Sequence, residues 1–342
     1  MEQLISKLRK WKSGGKSNPH IAQVHLTNKC NLDCDFCPTV TEKRKGNINF
    51  ENELSKERWK EIIKEGAEMG IQEWHICGGG EPFFDKKLAL NLMKLIKKSG
   101  TRGEVITNGT LLDRETSKEL VGMGWDLVTF SIDGPSEKVN DHIRSEGSFR
   151  KAVKNAKILS SMKRDRNPLL RIHTVICNKN YDKMGEMIEL TKELGFDEIR
   201  FNSLNIWSEE GEKLKLDKDK IARTKNKLEE AKENANKLNV NTNIEEFIEH
   251  NLLQNANEID EAMKEEIQGK GFSNLPCYYP WYNISIFSDG RIAPCFLFHE
   301  SDSVKNKSLK EVWYGDFFEK IRKRFLNNDL KSVCKNCNAW NV

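Results

Sequence analysis

The sequence predicts an α/β protein built on a parallel sheet, and three observations carry that expectation. Between residues 20 and 205, short runs rich in β-branched and aromatic residues alternate with segments of helical apolar period. Six such strand–helix units follow in series, the pattern of parallel strands with outer helices. Chemistry-bearing residues gather just past the ends of the apolar runs, where ligands bind in such sheets.

The elements follow in order. Residues 1–18 hold Lys7, Arg9, Lys10, Lys12 and Lys16 against one acid, Glu2, and are expected to form a solvated basic helix. Strands are expected over 21–26, 71–77, 103–107, 126–131, 170–176 and 198–203, within a domain spanning 19–208. One intervening helix carries Trp59, Ile62 and Ile63 behind an N-cap at Ser55. A second carries Phe149, Ala152, Val153, Ala156 and Leu159 behind Ser148, and a third Met184, Met187, Ile188, Thr191 and Leu194. Gly70, Gly100, Gly124 and Gly195 sit near helix ends. In residues 209–270, 27 of the 62 side chains are Asp, Glu, Lys or Arg, so 209–271 reads as a charged helical bridge of surface helices in which Leu228, Ala231 and Leu238 are too sparse for a strong apolar stripe. Residues 272–342 regain aromatic density and form a last domain, in which 281–295 reads as a β-hairpin turning at Asp289-Gly290.

Composition sets limits. The 342 residues carry a net charge of +4, and that excess lies within residues 1–19, so no globally basic nucleic-acid face is expected. No run approaches a membrane span, and no apolar leader suggests export, so a cytoplasmic protein is expected. Nine cysteines, an odd number in a long chain, argue against a disulfide framework.

Cys30, Cys34 and Cys37 are spaced C-x3-C-x2-C directly after the first strand. Three thiolates suit a 4Fe–4S cluster with one iron left open, or zinc if His25, His20 or another residue completes a fourth position. This loop resembles that of the radical S-adenosylmethionine (SAM) superfamily, and the likeness covers roughly residues 20–205. Gly78-Gly79-Gly80-Glu81-Pro82 resembles the second signature of that superfamily. Ser131-Ile132-Asp133-Gly134-Pro135 with Arg144 resembles a third, from its peptide- and protein-modifying branch.

The resemblance implies a partial (β/α)6 TIM-like barrel and a set of roles. Cys30, Cys34 and Cys37 would bind three irons, and SAM would chelate the fourth. Phe36 would lie by the adenine and Asn108 on the ribose side, with residues 174–176 giving backbone contacts to the adenine. Gly79, Gly80 and the Glu81 carboxylate would hold the methionine ammonium, and Ser131 and Arg144 its carboxylate. Asp133, in a sequence that is also an ordinary turn, is a weaker candidate. The chemistry implied is reductive SAM cleavage to a 5′-deoxyadenosyl radical, fed by a flavodoxin- or ferredoxin-like electron donor in an anaerobic, reducing setting.

Cys277, Cys295, Cys334 and Cys337 make a second group, able on spacing alone to hold a structural zinc. The segment resembles the SPASM or twitch extension of the same superfamily. That implies one auxiliary 4Fe–4S cluster, closed by four thiolates, in an α+β domain on the hairpin. A closed cluster suits an electron acceptor for substrate oxidation. Cys77, Cys177 and His173 lie at strand ends as candidate hydrogen donors or substrate contacts, beside the plainer reading of packed, satisfied side chains. Oxidation of a small molecule such as a sugar or cyclitol alcohol is the first expectation for the substrate. A peptide or protein maturase is the alternative, and a zinc-stabilised binding protein the non-enzymatic one.

Overall fold

Six parallel strands run side by side in chain order in a computed structural model that describes residues 2–163, 167–206, 208–248, 275, 277–331 and 334. They are β1 (Ile21–Val24), β2 (Glu73–Ile76), β3 (Arg102–Thr107), β4 (Leu127–Ser131), β5 (Leu169–Ile176) and β6 (Glu198–Ser203), each within a few residues of its expected bounds. The register is parallel throughout: Ala22 faces Trp74, Trp74 faces Gly103, Val128 faces Leu170 and Ile172 faces Ile199. One face of these strands, including Ala22, Val24, Trp74, Ile76, Val105, Phe130, Ile172 and Phe201, is buried in the main apolar core with the outer helices. The sheet stays open, ending at β7 (Asn241–Thr242) beyond β6.

Local chemistry explains the helices. Helix α3 (Lys56–Glu68) starts where the Ser55 hydroxyl accepts the Arg58 N–H at 3.1 Å, and it buries Trp59, Ile62 and Ile63 as the apolar spacing predicts. Helix α7 (Ser148–Met162) departs from the expected start. Gly147, at φ 71°, is the cap residue and Ser148 is already helical. The Asp141 carboxylate, not Ser148, receives the Gly147 and Phe149 N–H groups at 2.7 and 2.8 Å, because a full negative charge complements a helix N-terminus better than a hydroxyl.

The charged region differs more from expectation. Residues 249–271 lie outside the described residues, and the part before them includes a long helix, α10 (Lys218–Leu238), capped by Asp217. Thr224, Leu228, Ala231 and Ala235 are buried on α10, which packs on α8 (Met184–Glu193). Small residues let the backbones approach closely, so a narrow stripe suffices despite the charge density. The helix is therefore the crossover from β6 to β7 rather than a solvated bridge.

The expected hairpin is present as β8 (Asn283–Ile286) and β9 (Arg291–Ala293), with Gly290 at φ 82° in the turn. It does not form a sheet of its own. Strand β8 pairs parallel with β1, Ala22 facing Ile284, so the sheet runs on as β10–β9–β8–β1, with β10 at Asp302–Ser303. The basic N-terminal helix, α1 (Glu2–Lys12), also departs from the solvated expectation. It buries Leu4, Ile5 and Leu8, of which Leu4 and Leu8 join Tyr278, Trp281 and Phe325 in a second core. Buried Arg322 closes that core, its guanidinium 4.5 Å from the Trp11 ring and 4.4 Å from the Trp313 ring while donating to the Pro280 and Trp313 carbonyls.

Candidate functional site

The loop after β1 carries the first three cysteines and is fixed at its start by Glu53. That carboxylate accepts the Thr27 hydroxyl at 3.0 Å and the Asn28 N–H at 2.7 Å. Cys34 is buried, Cys30 and Cys37 are half-buried, and none of the described cysteines is in a disulfide. Burial pushes the Cys34 thiol up to about 12 and raises Cys30. Among the described residues, no three His, Cys, Asp or Glu side chains converge on one metal position. Three thiolates that each hold a different iron need not converge in that way.

The glycine run after β2 lies directly on this loop. The Gly80 N–H donates to Thr27 O at 2.6 Å and the Glu81 N–H to Lys29 O at 2.9 Å. A Cβ on Gly80 would stand 2.1 Å from the Lys29 carbonyl oxygen, a backbone atom that cannot yield cheaply, so this close approach requires glycine. Gly79, at φ 64°, is equally confined, its Cβ direction meeting Thr27 O at 2.6 Å.

Glu81 does more than its expected role implies. It is 2% exposed, and its carboxylate accepts the Thr107 hydroxyl at 2.7 Å, the Asn108 N–H at 2.8 Å and the Phe83 N–H at 3.1 Å. Desolvation raises its pKa against those bonds. The carboxylate thus ties the glycine run to the end of β3. A Glu81→Gln change turns one acceptor oxygen into a donor facing donors. It should cost about 1–3 kcal/mol of stability as well as SAM affinity. A thermal melt and an equilibrium SAM titration of the variant check both, and an unshifted melt would contradict the tie.

Asn108 is similarly engaged. Its amide oxygen accepts the Thr110 N–H and hydroxyl at 2.9 and 2.7 Å, while its amide nitrogen donates to Asn31 Oδ1 at 3.0 Å and points to Cys30 Sγ at 3.9 Å. It thereby braces the cysteine loop, beside its proposed place near the ribose.

Past β4, Ser131 is half-buried and Asp133 wholly buried. Arg144, at the end of α6 (Glu137–Ile143), sets its Nε 2.7 Å from Asp133 Oδ2 and its guanidinium 5.6 Å from the Phe36 ring centroid. The Nε–H direction is poorly aligned, so the contact is an ion pair rather than a linear hydrogen bond. Burial works against the Arg144 charge, but Asp133 and the nearby Cys34 and Cys37 raise its pKa. At residues 174–176, the Val175 N–H already donates to Asp133 Oδ1 and its carbonyl accepts from Asn180, both at 2.8 Å.

Cys77 is half-buried, its thiol pushed up to about 12 by desolvation with Glu104 nearby, so it remains a thiol. Cys177 is 1% exposed in a small apolar cluster with Ile143 and Leu214, against Phe36, which is a packing environment. Half-buried His173 has its pKa lowered by desolvation and is hydrogen-bonded to Asn202.

The second face of the sheet carries charge. Glu104 accepts from Thr129 at 2.8 Å and from Arg171 at 3.1 Å. Arg171 reaches Glu198 at 3.0 Å, which in turn holds Arg200 at 2.6 Å. Closed barrels fill this space with apolar layers. Here Glu104, Arg171 and Glu198 keep 13–18% of their side-chain surface and pair with one another across β3, β5 and β6. No sequence motif announces this ladder or the Glu53 clamp, because both pair residues distant in the chain. Of the second cysteine group, Cys277 and Cys295 are half-buried and pack against the second core, as does Cys334, whereas Cys337 lies outside the described residues.

Comparisons with known proteins agree with this layout. A family model described as the radical SAM superfamily matches residues 24–191, and the SPASM model, an iron–sulfur cluster-binding domain, matches residues 277–338. An Fe-coproporphyrin III synthase from Methanosarcina barkeri is 36% identical over 140 residues, 41% of this chain and 33% of that protein. The chain thus matches only a third of that relative's length. A PqqA peptide cyclase from Granulibacter bethesdensis is 24% identical over 330 residues, 93% of this chain and 79% of that protein. In fold, the chain is similar to SuiB of Streptococcus suis, with a TM-score of 0.69 at 19% identity, covering 98% of this chain and 74% of SuiB.

Proposed function

The chain belongs to the radical SAM superfamily and carries a SPASM-type iron–sulfur domain, and from that premise we propose that it is a peptide-modifying radical SAM enzyme. Its cofactors are a 4Fe–4S cluster on Cys30, Cys34 and Cys37, SAM, and an auxiliary cluster on Cys277, Cys295, Cys334 and Cys337. When bound and reduced, the first cluster and SAM supply a 5′-deoxyadenosyl radical able to take a hydrogen atom from an unreactive C–H bond.

The residues present fit that group. Cys34 is buried and Cys30 and Cys37 half-buried on one loop, Arg144 brings positive charge to Cys34 and Cys37, and the Gly79–Gly80 backbone forms a cradle that a side chain would fill. Gly79 and Gly80 approach the methionine ammonium closely, and Glu81 supplies negative charge there while bracing Asn108. Ser131 and Arg144 orient the carboxylate, and Phe36 lies along the adenine. The Cys77 thiol, just past β2, and His173, on β5, are the candidate substrate contacts. The four C-terminal thiolates hold the auxiliary cluster as electron acceptor, and a flavodoxin- or ferredoxin-like protein delivers the reducing electron.

One observation carries the substrate class: the full two-module alignment with a peptide cyclase, 93% of this chain. It moves the reading from sugar or cyclitol oxidation to peptides, in line with the Ser131–Arg144 region. A tetrapyrrole substrate is the second reading, favoured by the 36% identity to the coproporphyrin enzyme.

The test is an anaerobic assay of reconstituted, dithionite-reduced protein with SAM. Short peptides encoded beside its gene, iron coproporphyrin and a set of cyclitols are offered separately. Peptide-stimulated 5′-deoxyadenosine, with a peptide product that has lost a pair of hydrogen atoms, is the expected result. Stimulation by the porphyrin or a cyclitol alone would overturn it.

A further inference from the structure

We propose that Asp133 is the positioning residue of Arg144, holding the guanidinium by its Nε edge so that the two terminal nitrogens face the SAM carboxylate. The inference rests on the reading that Arg144 binds that carboxylate. Asp133 is buried just past β4, and its N–H, carbonyl and Oδ1 are each hydrogen-bonded. Its N–H donates to Asn140 Oδ1 at 2.9 Å, its carbonyl accepts from Asn180 Nδ2 at 2.8 Å, and its Oδ1 accepts the Val175 N–H at 2.8 Å. Only Oδ2 is left for Arg144, at 2.7 Å.

These bonds come from three elements: α6, the end of β5 and the turn that follows it. Two of them fix the Asp133 backbone, and the Val175 N–H holds Oδ1 and so turns Oδ2 toward Arg144. Arg144 needs such a partner. It follows α6 directly, with 10% of its side chain exposed, and a long side chain in a site of that kind otherwise has several rotamers. An arginine held through Nε keeps its terminal amino groups as a planar fork, the geometry that receives a carboxylate bidentately. The Phe36 ring, 5.6 Å from the guanidinium carbon, limits a second direction of escape. Asp133 and Asn180 also join this anchor to the Cys177 N–H, which donates to Asn180 Oδ1 at 2.8 Å, so the support reaches the whole end of β5.

A structural acid would affect every ligand alike, whereas a positioning acid acts on the carboxylate alone. The experiment uses the reconstituted full chain, with iron content as a control. It measures equilibrium binding of SAM and of decarboxylated SAM to the wild type, Asp133→Asn and Arg144→Gln. Both variants should bind SAM about 10- to 100-fold more weakly, the worth of a charge-assisted hydrogen bond, and decarboxylated SAM as the wild type does. In Asp133→Asn, the change that SAM induces in the electron paramagnetic resonance spectrum of the reduced cluster should shrink in step.

Equal weakening toward both ligands, or unchanged SAM binding in Asp133→Asn, overturns the inference. Unchanged SAM binding in Arg144→Gln overturns the underlying reading as well, so the two failures are distinguishable. If Asp133→Asn alone does not fold, the double variant Asp133→Asn/Arg144→Gln removes both charges together. Its SAM affinity should equal that of Arg144→Gln, and a further loss would show Asp133 acting by another route.

Discussion

Cys30→Ala, Cys34→Ala and Cys37→Ala should each abolish 5′-deoxyadenosine formation while leaving the auxiliary iron in place. The effect should be all-or-none, because in the proposed ligation each thiolate holds a different iron. The loop also has little freedom to compensate. Glu53 pins its start, the Gly80 and Glu81 N–H groups bind its carbonyls, and the Cys37 N–H closes onto Cys34 O at 3.1 Å. That rigidity keeps the fold when a thiol is lost, since none of these bonds uses sulfur. Anaerobic reconstitution with iron and sulfide analysis, paired with chromatographic detection of 5′-deoxyadenosine, checks the prediction. Undiminished product from any of the three variants would remove that cysteine from the cluster.

The strands and the cysteine loop were legible in the sequence because each depends on neighbours close in the chain. Runs such as Ala22-Gln23-Val24 and Leu170-Arg171-Ile172 alternate with a period that only a strand satisfies, and C-x3-C-x2-C is a local spacing. What escaped depends on closure in space. Ser148 looked like the cap of its helix, but Asp141, seven residues earlier, folds back and wins by charge. Residues 1–18 looked solvated because lysines dominate the count. Three apolar side chains, Leu4, Ile5 and Leu8, are nevertheless enough to seat a helix on aromatic neighbours. The hairpin at 283–293 was readable from its alternation and Asp289-Gly290. Its pairing with β1 was not, because over 250 residues separate the partners Ile21 and Asn283.

Glu81 shows the same limit at the site. Its motif points to a ligand contact, yet the carboxylate also carries three protein hydrogen bonds that only the fold of the β3 end reveals. Asp133 shows it again. In sequence it belongs to a turn, and its meaning comes from Arg144, Asn140, Val175 and Asn180 arriving from other elements.

Changing Cys277 and Cys295 together to Ala should remove about half of the iron, one of two equal clusters. Slow SAM cleavage without substrate should survive, because Cys30, Cys34 and Cys37 after β1 are unchanged. Oxidised product should fall far more than SAM cleavage, since a substrate radical that has lost its proton then lacks an electron acceptor. The double change strikes a part of the molecule that is joined to the barrel. Strand β9 leads into Cys295, β8 pairs with β1, and the His25 N–H donates to Ile286 O at 2.9 Å. Loss of ligation energy could therefore loosen the site itself, because metal binding contributes folding energy. A circular-dichroism melt separates the cases. With the barrel intact, the main transition should hold and only product formation should drop. If the wild-type protein instead carries one zinc per chain and iron for a single cluster, the acceptor role falls. Equal losses of SAM cleavage and product with an unchanged melt would likewise place the four thiolates outside the electron path.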